Sequence, residues 1–199
     1  MRRNTIVAVA AAVSLSVILA AATAAARRHD PVVPTVTVER AVTAPDLDDP
    51  TIVAIFDAAN TADIETGELA ARQGNSKQVR DFGAMLVRDH KMVRQQGRDL
   101  AKKLGVTPTP PADSASAKAH ADAMKSLRSL RGAEFDRAFL RHEAAFHKAV
   151  IDAVNGTLLP AIKNGELKAL VVKVAPNFQG HMIAAQDLDK QLAGRRAEK

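Results

Sequence analysis

The chain has 199 residues, a formal net charge of +6 and no cysteine. That length suits one domain of ordinary size plus an N-terminal extension. The missing cysteine excludes disulfide scaffolds, thiol nucleophiles and a thiol-anchored lipoprotein. Aromatic residues make up only 3%, and Ala, Leu, Lys, Arg, Glu and Gln fill the long periodic stretches, which favours an all-helical domain. The basic residues fall singly along those stretches, with no aromatic interleaving. That pattern marks a solvated helix surface and argues against nucleic-acid binding; weak attraction to an anionic envelope or membrane surface is all the charge supports.

Residues 1–26 read as a signal peptide: Arg2 and Arg3 precede the apolar run Ile6–Ala22, and Ala22–Ala26 offers small residues for cleavage. Such a chain is exported, periplasmic or associated with the cell envelope. The apolar run is also long enough for an uncleaved membrane anchor, although Arg27 and Arg28 on its far side disfavour that orientation. Residues 27–48, rich in Pro, Val and Thr, form a flexible linker. The folded domain spans 49–195, and a charged tail, 196–199, frays at the end.

Within the domain, apolar residues return at helical spacing in four long stretches. The first opens with Asp49 as N-cap and Pro50 in the first turn. Its stripe comprises Ile52, Ile55, Phe56, Ala59, Ala62, Thr66, Leu69 and Ala70, with Asp63 inside it. Glu65 and Glu68 point away from that stripe. Asn75 or Ser76 caps the second helix, whose stripe includes Val79, Phe82, Gly83, Leu86, Val93, Gly97 and Leu100. His90 completes it, seven residues from both Gly83 and Gly97. Asp89 stands on its edge.

Gly105–Gly132 is a long crossover, extended at its prolines and followed by a short amphipathic piece with Ala117, Ala121, Met124 and Leu127 on one side. His120 reads there as a surface residue. The third long helix starts near Ala133 and places Glu143 at the centre of its apolar face with His147 one turn on. Pro160 kinks or ends it. The fourth runs from about Glu166 to Leu192, with His181 in its stripe and Pro176 one turn before. Four long helices joined short, long, short match a ferritin-like four-helix bundle with one long crossover between helices two and three. An irregular array of five helices is the alternative.

His90, His147, His181, Asp63 and Glu143 therefore all face the interior. Carboxylates and imidazoles projecting into a bundle are how such proteins build metal centres, and groups of this kind buried alone are costly. At 1.5 Å per residue, Asp63 lies roughly 16 Å from the turn at Gly74 and His90 roughly 24 Å, so their contact needs an offset. His147 and His181 are level only if the third helix continues through Pro160. A diiron oxidase needs Glu-x-x-His on two helices, and the residues three before the histidines are Val87, Ala144 and Phe178. A histidine-rich site for one divalent transition metal (zinc, copper, nickel or iron) fits the set better.

Four segments resemble a bacterial family catalogued as domain of unknown function 4142, whose members are often described as outer-membrane proteins. They are DIETGELA (Asp63–Ala70), VRDFGAMLVRDH (Val79–His90), FDRAF followed by His147, and ELKALVVKVAPNFQGH (Glu166–His181). The resemblance covers about Pro50–Leu192 and implies a ferritin-like, exported bundle whose biochemical role is open. His90, His147 and His181 match the family pattern. Asp63 stands where the family commonly has Glu, and Glu143 where it is not regularly acidic. Two other functions stay open beside metal binding: a non-catalytic envelope bundle acting through its surface, and a metal-dependent oxidoreductase. Nothing in the sequence sets a catalytic residue, a partner or an oligomeric state.

Overall fold

The computed structural model describes residues 47–111 and 115–197; the signal peptide and nearly all of the linker expected at the N-terminus lie outside them. Five main helices are present: α1 (Asp49–Gln73), α2 (Lys77–Leu104), α3 (Ala115–Ser129), α4 (Gly132–Ala153) and α6 (Gly165–Ala197). A π turn, Val154–Leu158, and a single helical turn α5 (Leu159–Ala161) extend α4. No strand occurs among the described residues, and none of their helices is long and apolar enough to cross a membrane. The fold is the all-α, ferritin-like bundle expected from the sequence: α1 and α2 form one hairpin, α4 and α6 the other, and α3 packs on α1 and α4 between them.

Local chemistry sets the helix ends. Asp48, one residue before the expected cap, accepts the Thr51 N–H at 2.9 Å. Its neighbour Asp49 is then free to accept the N–H groups of Lys163 and Asn164, at 2.9 and 2.8 Å, in the turn of the other hairpin. Ser76 caps α2 through Val79. At its far end Gly105 takes a left-handed φ of 65°, with Gly105 N–H to Lys102 and Val106 N–H to Ala101. That is the pairing of a Schellman stop, and it needs a residue without Cβ.

The first hairpin closes tightly because of two glycines. A Cβ on Gly83 would meet the Gly67 carbonyl at 2.6 Å, and one on Gly67 the Gly83 carbonyl at 2.8 Å. These positions lie equally far on either side of Asn75, which sets the register: Asn60 is level with His90. In the second hairpin Pro160 does not end the helix. Its ring would collide with the carbonyl four residues back, and the chain instead widens so that Leu159 N–H reaches Val154, five residues back. Helix direction is thereby kept, and His147 stays level with His181.

Crossover helix α3 buries only Met124 and Leu127. Ala117 and Ala121, expected on that face, are exposed, because the helix buries apolar side chains only in its C-terminal half. There Gln73 donates to the Leu127 and Leu130 carbonyls. The apolar interior has two ends. One gathers Leu69, Val79, Phe82, Leu86, Phe135, Phe139 and Ala185 beneath α3; the other gathers Ile52, Ala101, Leu158, Ile162, Leu167 and Val171. Between them, at half height on all four long helices, the interior is polar.

Candidate metal centre

That polar waist contains Asn60, Asp63 and Thr66 from α1, His90 from α2, Glu143 and His147 from α4, and His181 from α6, all buried. All five residues singled out from the sequence converge there. One ring nitrogen from each of His90, His147 and His181 lies within 4.8 Å of the others, and the same limit holds among Asp63, Glu143 and His147. Asp63 and His90 meet despite their different heights, with Asp63 Oδ2 3.4 Å from His90 Nδ1. Side chains lean toward the N-terminus of their own helix. Asp63 thus leans away from the turn and His90 toward it, and the offset closes.

Each imidazole has one nitrogen committed to an oxygen. Asn60 donates its amide N–H to the Phe56 carbonyl at 2.8 Å, which turns its own oxygen to His90 Nδ1 at 3.0 Å. His147 Nδ1 donates to the Glu143 carbonyl at 3.0 Å. His181 Nε2 donates to Asp89 Oδ2 at 3.2 Å. An oxygen of this kind only accepts, so each of these nitrogens carries the proton of the neutral ring. The remaining nitrogens, His90 Nε2, His147 Nε2 and His181 Nδ1, are left as bare lone pairs. His90 Nε2 and His181 Nδ1 face each other at 3.2 Å.

Burial keeps these rings neutral. It lowers the His90 pKa to about 2 and the His147 pKa to about 4, assisted at His90 by the two neighbouring imidazoles. His181 is also lowered by burial, against the pull of Asp89. Asp89 itself is held below the usual carboxylate range: partial burial raises it, but Arg88 and His181 outweigh that. The carboxyls inside behave in the opposite sense. Burial first, then the charge of Glu143, raise Asp63 well above its ordinary value. Burial raises Glu143 to about 7, opposed by Thr66 and Asp63 beside it.

Both oxygens of Asp63, both of Glu143 and Nε2 of His147 are buried without a hydrogen-bond partner among the described residues. His147 Nε2 faces Asp63 Oδ1 at 3.8 Å, acceptor to acceptor. Phe178 closes the site on one side, its ring centre 5.3 Å from that of His90 and 5.9 Å from that of His147. The arrangement presents two groups of possible ligands that share His147, one of three imidazoles and one of Asp63, Glu143 and His147, with nothing positive among them.

Sequence reasoning missed Asn60 and noted Asp89 only as an edge residue. Asn60 is fully buried where Ala59 was expected to face inward; its signal was a polar amide three residues before Asp63, one turn along the same stripe. Phe178 was read as core alone. Glu65 and His120 pair with each other outside the waist, at 2.8 Å, and Glu68 pairs with Lys91 at the surface.

Fold and waist together define a ferritin-like helical bundle with a buried histidine–carboxylate cluster. The chain belongs to the family described as Domain of unknown function (DUF4142), whose model matches residues 34–188. Two solved structures are similar to it. A DUF305 fragment from Deinococcus radiodurans aligns over 71% of this chain and 95% of its own, at 15% identity and a TM-score of 0.63. CopM in the Cu(II)-bound form aligns over 73% of this chain and 98% of its own, at 13% identity and a TM-score of 0.57. Identities this low establish a shared fold. No curated protein sequence is detectably similar to the chain.

Proposed function

We propose that the chain is an exported protein that binds one divalent transition-metal ion at the waist of the bundle. His90 Nε2, His147 Nε2 and His181 Nδ1 are its nitrogen ligands, and Asp63 and Glu143 supply oxygens and counter-charge. The observation that carries this reading is the convergence of three imidazoles whose outer N–H groups are already held by Asn60, the Glu143 carbonyl and Asp89. Outer hydrogen bonds of this kind orient histidine ligands and fix their tautomers in metal sites.

Charge supports the same reading. Three neutral rings bring no charge, and Asp63 and Glu143 bring two negative charges when ionised, which a divalent cation neutralises. A donor set of nitrogen and oxygen without sulfur suits copper(II), zinc, nickel or iron. Copper is the first ion to test, because the similarly folded CopM was solved with Cu(II) bound. Export is supported by the basic start and apolar run of residues 1–26; intact mass of the mature chain tests it, with a start between Ala25 and Arg28 expected.

Thermal melts with and without chelator test the metal. An ion that binds only the folded chain stabilises it by RT ln(1 + [L]/Kd), about 2.7 kcal/mol at a hundredfold excess over Kd. Wild type should gain that increment with at least one of copper(II), zinc, nickel or iron(II), and His147→Ala should lose most of it. Wild-type melts that are identical with chelator and with every ion would overturn the proposal. The bundle would then act through its surface, with its polar residues serving the core.

A further inference from the structure

The route by which an ion reaches the waist can be read from the exposure of its side chains, granted the metal reading above. His147, Asp63 and Glu143 are sealed, and His90 is 2% exposed. The His181 side chain is 8% exposed and that of Asp89 is 20%. Exposure therefore rises from the interior through His181 to Asp89 on the α2–α6 edge. A groove of about 250 Å³ runs between α4 and α6, lined by Val150, Ile151, Val154, Asn155, Pro176 and Gln179 among others. The Phe178 ring lines that groove and packs against the histidines, and its walls, apolar but for the amides of Asn155 and Gln179, hold no charged group to attract a hydrated cation.

On the α2–α6 edge the chemistry is different. Asp89 presents one oxygen to His181 Nε2 at 3.2 Å and the other to Arg88 Nε at 2.8 Å. Arg88 is well exposed, at 69% of its side chain. A carboxylate at the mouth can take the place of water on an arriving cation and pass it to the imidazole behind. The guanidinium on the same carboxylate competes with that cation and repels it.

We propose that the ion exchanges with solvent across the Asp89–His181 edge, with Asp89 as the outer ligand that first receives it and Arg88 as the cation it must displace. Asp89 then has two tasks: it holds the His181 tautomer that turns Nδ1 inward, and it is the only carboxylate on the way in from solvent among the described residues of the cluster. Neighbouring substitutions of opposite charge consequently have opposite effects. Removing the Asp89 charge slows uptake, and removing the Arg88 charge speeds it. Local charge changes association rates by a factor of ten or more in a focused site, and the change shrinks as salt screens it.

Stopped-flow uptake of Cu(II), supplied as dilute copper salt to the purified metal-free full chain, tests this. Asp89→Asn should slow uptake about tenfold and Arg88→Gln should quicken it about threefold at low ionic strength, with the Arg88→Gln gain fading near 1 M salt. Asp89→Glu, which keeps the charge, should recover much of the rate. A residue that merely supported the fold would not give opposite signs at adjacent positions. Wild-type uptake combined with an unchanged rate in Asp89→Asn, or with slowing in Arg88→Gln, would overturn the route and leave the metal site standing. A wild type that takes up no copper, zinc, nickel or iron would overturn the metal reading and the route with it.

Discussion

Asp136 and Asp63 are both buried aspartates in the same bundle, at 2% and 1% exposure, and they live in opposite circumstances. Asp136, near the start of α4, accepts the Asn75 and Ser76 N–H groups at 2.7 and 2.8 Å, holding the turn of the α1–α2 hairpin. Asp49, at the start of α1, holds the turn of the α4–α6 hairpin in the same way. Each hairpin is thus clamped by a carboxylate near the start of the other, and these carboxylates have donors for their charge. Asp63 at the waist has none. The difference teaches what the two regions are for: the ends are self-sufficient structure, whereas the waist is complete only with a proton or a cation added.

Breaking an end should therefore hurt whatever the metal content. Asp136→Ala strips two part-buried backbone donors of a charged partner, and hydrogen bonds to charged groups are worth about 1.5–3 kcal/mol each. A loss of about 3 kcal/mol is expected in denaturant unfolding, equal with chelator and with metal. A metal-dependent loss would blur the distinction drawn here.

At the waist the sign should reverse. Asp63→Asn removes a carboxyl that burial and the Glu143 charge push toward its neutral form in the metal-free chain, so no paired charge is lost with it. With chelator present the variant should be at least as stable as wild type, by up to about 1 kcal/mol, while its gain from metal shrinks. Asp63→Asn that destabilises the chelated protein as much as Asp136→Ala does would erase the contrast.

A smaller effect separates the groups within the waist by pH. Glu143 is raised to about 7 when folded, from an ordinary 4.5, so its contribution is present at low pH and lost as pH rises through 7. The histidines are lowered, His147 to about 4; the unfolded chain takes their protons first, and stability is lost as pH falls below about 6.5. Metal-free protein should accordingly lose stability on both sides of mildly acidic pH. Metal binding requires deprotonated ligands, so the gap in melting temperature between loaded and metal-free chains should widen from pH 6 to pH 8. A gap that narrows over that interval would contradict the assignment of Glu143 and Asp63 to the site.

Much of the waist was legible in the sequence because helical periodicity alone sends His90, His147, His181, Asp63 and Glu143 inward. What periodicity does not carry is rotation and height. Ala59 and Asn60 fit the α1 stripe about equally, and only the close approach of Gly67 to Gly83, a contact between helices, turns Asn60 to His90. The level of His147 against His181 depended on whether Pro160 ends its helix, and a π turn resolved that by widening the backbone. Asp136 reads locally as one polar residue among phenylalanines; its partners lie about sixty residues away in sequence. The cap of α1 falls on Asp48 because Asp49 is needed across the bundle, which no local signal expresses.

The central claim is that three imidazoles converge on one ion. Electron paramagnetic resonance of the full chain loaded with one equivalent of Cu(II), with His90→Ala, His147→Ala and His181→Ala alongside, measures it most directly. Nitrogen hyperfine coupling from three equatorial or near-equatorial imidazoles is predicted for wild type, with one fewer in each variant that still binds. A wild-type spectrum of free aqueous copper, or one whose nitrogen coupling is untouched by all three substitutions, would contradict it.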